Sequence, residues 1–141
     1  MRWLSLAVLI SVAELSTADD GRKLLGQSVS VENVHLAAAS TGADTEIRFR
    51  VHNHSGASLV FLGVETELAR GARLQARVDD DVWVETSAVT LAGDSITDFG
   101  SSHLRVVLEG MKSDTEPGAS VGVGLRFVQG TLVVQAIVVE R

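Results

Sequence analysis

From Ile47 onward the side chains alternate: Ile47, Phe49 and Val51 are apolar, while Arg48, Arg50 and His52 are polar or charged. That period of two is what a half-buried β-strand requires, because successive side chains leave opposite faces of a sheet. Asn53-His54-Ser55-Gly56 then supplies turn chemistry. Leu59–Val64 restarts as an apolar run long enough for a second strand, so the stretch reads as a central hairpin. Gly63 lies inside the second run, where a glycine marks a bulge or a close backbone approach.

The rest of the chain carries similar punctuation. Ser28–Val34 alternates through Val29 and Val31 and predicts a first strand, and Leu36–Thr45, broken at Ser40-Thr41-Gly42, predicts a loop. Thr66–Ala72 fits either a turn of helix or a connection. Arg73–Val78 and Val82–Thr86 flank an acidic hairpin turn, Asp79-Asp80-Asp81; Ala92-Gly93-Asp94 marks another turn before a weak strand at Ser95–Phe99. Leu104–Leu108 predicts a stronger strand ending at Glu109-Gly110, followed by a loop over Met111–Gly118. Ser120–Val128 and Thr131–Val139 form a closing hairpin through Gln129-Gly130. About eight short strands at regular spacing, with no convincing helix, predict an all-β sandwich or barrel.

Composition narrows the function classes. The 141 residues suffice for one domain with a proper core, and 45% hydrophobic against 21% charged residues argues against disorder. A net charge of −6 without a basic run gives nucleic-acid binding no electrostatic support. Cysteine is absent, which removes disulfides, thiolate metal sites, cysteine nucleophiles and a lipoprotein anchor together. Met1-Arg2, the apolar Trp3–Ala13 and the small Ser16-Thr17-Ala18 ahead of Asp19-Asp20 have the order of a secretory signal. The apolar run is short for a bilayer span; an uncleaved anchor or a buried N-terminal helix is the alternative. The expected organisation is a cleaved signal peptide over residues 1–18, a flexible leader over 19–27 and a single domain over 28–141. After cleavage no stable membrane insertion is expected.

Histidines are the candidate ligands. His52 and His54 are two apart, so a strand running through both puts them on one face with Cβ atoms about 7 Å apart. Two imidazoles at that separation suit Zn²⁺ or Cu²⁺; the alternative is a pair of exposed polar residues at a strand end. His103 follows Ser101-Ser102, but a serine nucleophile needs a base oriented by a third group and an oxyanion donor, and neither is legible. No enzymatic activity is expected. The three aspartates at 79–81 lack the spread of oxygen ligands and the glycine of a Ca²⁺ loop and read as a solvated turn. Trp83 is either a core residue or part of a contact surface. Asn53-His54-Ser55 fits the N-glycosylation pattern.

In order and spacing, several short motifs resemble the periplasmic copper chaperones of the PCu(A)C type. They are Asn53-His54, Phe61-Leu62-Gly63, Leu74-Gln75, Leu91-Ala92-Gly93, Ser101-Ser102-His103-Leu104-Arg105, Leu108-Glu109-Gly110-Met111-Lys112 and the Gly124–Val139 hairpin. The resemblance runs from Val29 to the C-terminus and implies a cupredoxin-like Greek-key β-sandwich that binds or delivers copper in the periplasm. A copper-accepting respiratory protein, such as a cytochrome oxidase under assembly, is the implied partner. The family's copper(I) site uses two histidines and two methionines, soft thioethers suiting a soft ion. Here the first histidine position falls on Gln75 and the first methionine position on Trp83 or Glu85, and the His-x-Met pair becomes His103-Leu104-Arg105. Anchored instead on Leu108–Lys112, the last pair falls on Arg105 and Val107. The ligands that remain to be expected are His103, His54 and His52, with Met111 the one methionine left after signal removal. The rival expectation is a degenerate relative without metal, acting as an interaction or structural module.

Overall fold

The computed structural model describes residues 27–101 and 103–140. The signal peptide expected at 1–18, and the leader up to residue 26, lie outside the described residues. Among the described residues ten strands follow one another: β1 (Val29–Ala37), β2 (Thr45–Asn53), β3 (Leu59–Glu65), β4 (Ala69–Asp79), β5 (Val82–Glu85), β6 (Val89–Leu91), β7 (Ile96–Phe99), β8 (Leu104–Met111), β9 (Ser120–Phe127) and β10 (Gly130–Val139). Hydrogen bonding runs in the order β5-β4-β8-β2-β1-β10-β9-β3-β6, with β7 added beside β2. All pairings are antiparallel except β1 with β10.

This sheet is continuous but not flat. β2 and β3 stand four places apart in the hydrogen-bonding order, yet Phe49 of β2 and Phe61 of β3 have ring centroids 5.8 Å apart. Only a sheet folded over on itself allows that contact, and the result is a β-sandwich. Phe99 of β7 stacks on Phe49 at 4.8 Å and Phe127 of β9 meets Phe61 at 5.4 Å, so the four phenylalanines form the hinge of the core. Around them Leu36, Ile47, Leu91, Val106, Leu108 and Leu125 are almost wholly buried. β2 shows why the sequence folds this way: residues 45, 47, 49, 51 and 53 point inward, and 46, 48, 50 and 52 point out.

The all-β architecture expected from the sequence is the one found, with one change of topology. β2 and β3 do not pair as a central hairpin. Both edges of β2 are already taken, by β1 on one side and by β7 and β8 on the other, and β3 instead pairs with β9 and β6 in the opposite layer. The Asn53–Ser58 segment is therefore a crossover between layers. The bulge expected at Gly63 is present: the β3–β9 register shifts between Phe61 and Gly63, and Gly63 has φ 133°, a value that side-chain-bearing residues rarely adopt.

Candidate functional site

His52 and His54 meet. His52 lies on the outer face of β2, opposite Ser30 of β1 and Ile96 of β7. The chain stays extended for one residue past β2, because the His54 amide donates to the Ser28 carbonyl at 2.6 Å. His54 thus falls on the same face as His52, and the two rings close to 3.8 Å between centroids with a 42° tilt. Ser30 Oγ and His54 Nε2 are 2.6 Å apart, which fixes the outer ring. That distance is also the reach of a nucleophile–base pair. Among the described residues, however, no carboxylate is hydrogen-bonded to His54 to orient it as a base.

The other two expected ligands lie elsewhere. His103 sits in the turn leading into β8; its amide donates to Ser101 Oγ at 3.2 Å, and its carbonyl accepts from Arg77 of β4. Ser102 lies outside the described residues. Among the described residues no group of three or more His, Asp or Glu side chains is placed to hold a metal ion, so His103 does not complete the pair. Met111 is at the opposite end of β8, about 25 Å from His103 at the rise of a strand. Its side chain is 1% exposed and packs in the core.

The positions to which the resemblance assigned ligands do converge, on different chemistry. Gln75 faces Arg105 across β4–β8 and Glu85 across β4–β5, and Arg77 faces Trp83 in the same hairpin. Arg105 Nε donates to Gln75 Oε1 at 2.7 Å, and the guanidinium carbon lies 4.1 Å above the Trp83 ring centroid. Gln75 is 7% exposed, so this hydrogen bond satisfies a buried amide. A fixed positive charge now stands where the resemblance expects a copper ion. At an effective dielectric of about 20, two unit charges 4 Å apart repel by about 4 kcal/mol. With no thioether at the corner to offset that cost, these residues do not fit copper(I). Trp83 is neither a free contact surface nor a core residue: it is half-buried beneath Arg105.

Other features resolve as structure. A groove of about 680 Å³ on the outer face of β1, β2, β8 and β4 is lined by Arg48, Arg73 and Arg105, but carboxylates accompany two of them. Arg48 lies 3.6 Å from Glu46, and Arg73 sits between Asp44 at 3.8 Å and Glu109 at 3.3 Å. The last approach is off-line, an ion pair without a hydrogen bond. In the acidic turn Asp79 accepts from the Asp80 amide at 2.8 Å and Asp80 pairs with Arg77 at 3.3 Å. Asn53, in the glycosylation pattern, is completely buried; its Nδ2 donates to the carbonyls of Ala57, Leu91 and Ala92.

No family model and no curated protein matches the chain at the level of sequence. Solved structures do match. The copper-bound PCuAC domain from PmoF2 superposes with a TM-score of 0.70 at 17% identity, over 81% of this chain and 94% of that one. The apo PCuAC domain from PmoF1 gives 0.70 at 20% identity, over 81% and 95%. Apo-DR1885 from Deinococcus radiodurans gives 0.52 at 23% identity, over 81% and 80%. The class defined is a PCuAC-like β-sandwich, the fold that the short motifs led one to expect.

Proposed function

We propose that this chain is an exported, periplasmic copper-chaperone-like carrier whose cargo sits on His52 and His54. The observation that carries the reading is the 3.8 Å approach of the two rings on an outer strand face. Imidazole nitrogens bind Cu²⁺ or Zn²⁺ at about 2.0–2.1 Å, so two rings this close can share one ion. The remaining coordination positions stay open to water or to an acceptor, which suits a protein that gives its metal away. A copper-accepting respiratory protein is the kind of partner this implies; catalysis is not part of the reading. Support for copper rather than zinc comes from the fold shared with a copper-bound PCuAC domain.

The test is titration of the purified chain with Cu(I), Cu(II) and Zn(II), alongside His52→Ala, His54→Ala and His103→Ala. The expected result is Cu(II) binding at one equivalent, weakened at least tenfold by either substitution in the pair and unchanged by His103→Ala. Loss of binding in His103→Ala alone would move the site to the β8 turn. The absence of binding in every protein would favour a second reading, a metal-free interaction module. The Arg105–Trp83–Gln75 corner specifically supports that second reading, because it fills the expected copper(I) position with a side chain.

A further inference from the structure

Arg105 differs from most of the other arginines among the described residues. Arg48, Arg50, Arg73 and Arg77 each have a carboxylate within 4 Å, whereas among the described residues Arg105 has none. Two neutral groups hold it instead: the face of Trp83 and the side-chain oxygen of Gln75. Trp83, Gln75 and Arg105 come from three neighbouring strands, β5, β4 and β8, whose register lines up Gln75 with Arg105 and Trp83 with Arg77. Gln75 is buried at 7% exposure, and its oxygen is directed at the guanidinium. An aromatic face attracts a cation through its quadrupole, and an amide oxygen fixes the plane of a guanidinium by accepting from its fork of N–H groups. Together they make a cation seat built from uncharged side chains.

The geometry points to a guanidinium-binding site formed by Trp83 and Gln75, which the chain keeps filled with its own Arg105. While Arg105 is in place, the seat is closed to external organic cations; without it, the seat takes a free guanidinium-type ligand. This inference is independent of the histidine pair, since neither His52 nor His54 contributes to the corner.

The experiment uses the full chain in a Trp3→Phe background, which leaves Trp83 as the reporter. Methylguanidinium chloride is titrated into the parent and into Arg105→Ala and Arg105→Met, with sodium chloride at equal ionic strength as the control. The expected result is a saturable change in Trp83 emission in both Arg105 variants, with none in the parent. An accompanying rise of the thermal midpoint toward the parent value is expected in the variants only. Adding Gln75→Ala to Arg105→Ala should weaken the response severalfold. A response that is linear in concentration, or identical in parent and variants, would overturn the site, as would full retention of the response without Gln75.

Discussion

At the scale of single residues, polar groups inside the sandwich are held by several bonds at once. Asn53 is the clearest case: its Nδ2 reaches three carbonyls, and its Oδ1 accepts from the amide and hydroxyl of Ser55. Removing that side chain leaves buried carbonyls without donors, each costing about 1–3 kcal/mol. Asn53→Ala should therefore destabilise the domain by about 3 kcal/mol, read as a lowered urea midpoint at unchanged slope. Asn53→Asp should do worse, because a carboxylate would face three carbonyl oxygens. Asp114 shows the opposite, exposed case. Its Oδ1 accepts from the amide and the hydroxyl of Thr41 at 2.7 and 2.9 Å, and the backbone bond first, then the hydroxyl bond, hold its carboxyl below the ordinary value of 3.8. A carboxyl with a depressed folded-state pKa adds stability above its unfolded pKa and loses it as pH falls through the folded value. Asp114→Asn should accordingly be less stable than the parent at neutral pH. The gap should close progressively below pH 3.8, as chemical denaturation at a series of pH values would show.

At the scale of elements, the strands that a regular period reveals were legible, and those that a bulge interrupts were cut short. β2 reads directly from Ile47, Phe49 and Val51. β1 was expected to end at Val34, with a loop from Leu36, and Leu36 is indeed out of phase with Val29 and Val31. In the fold Asn33 adopts φ 55°, the register to β2 shifts between Glu32 and His35, and the inward face resumes at Leu36. Gly110 hid the end of β8 in the same way, since a glycine at φ 61° looks like a stop, yet pairing with β4 continues to Met111. β6, three residues long, has too little pattern to detect. The site divides along similar lines. His52 and His54 were foreseeable because a strand keeps residues two apart on one face. The contact of Arg105 with Gln75 spans 30 positions and depends on the β4–β8 register, which no local pattern encodes. The crossover after β2 is set by a close approach of backbones. A Cβ on Gly93 would lie 2.6 Å from the carbonyl carbon and oxygen of Gly56, and the Asp94 amide donates to the Ser55 carbonyl at 2.9 Å in the same place. Gly93→Ala should thus push the Asn53–Ser58 segment away at a cost of about 1–3 kcal/mol. It should also disturb the His54 ring, seen as a shift of its imidazole resonances while those of His103 stay in place.

Across the whole molecule, the groups with chemical potential lie outside the sandwich and the groups that hold it together lie within. His52 and His54 are exposed or half-buried, so replacing either should change stability by no more than about 0.5 kcal/mol, the usual range for surface positions, whereas removing Arg105 leaves the buried Gln75 oxygen without its donor and should cost about 1–3 kcal/mol. Phe61 is the counterpart. Its ring is fully buried and touches Phe49, Phe99 and Phe127, joining β3 to β2, β7 and β9 and therefore one layer to the other. Truncating a core phenylalanine costs about 3–5 kcal/mol, against a total stability of about 5–15 kcal/mol for a domain. Phe61→Ala should lose a large part of that stability, with far-ultraviolet dichroism and tryptophan emission changing together in one urea transition well below the parent midpoint. His54→Ala should unfold at the parent midpoint under the same conditions. If His54→Ala unfolded as early as Phe61→Ala, the histidine pair would be part of the frame, and metal loss in that variant would no longer identify a ligand.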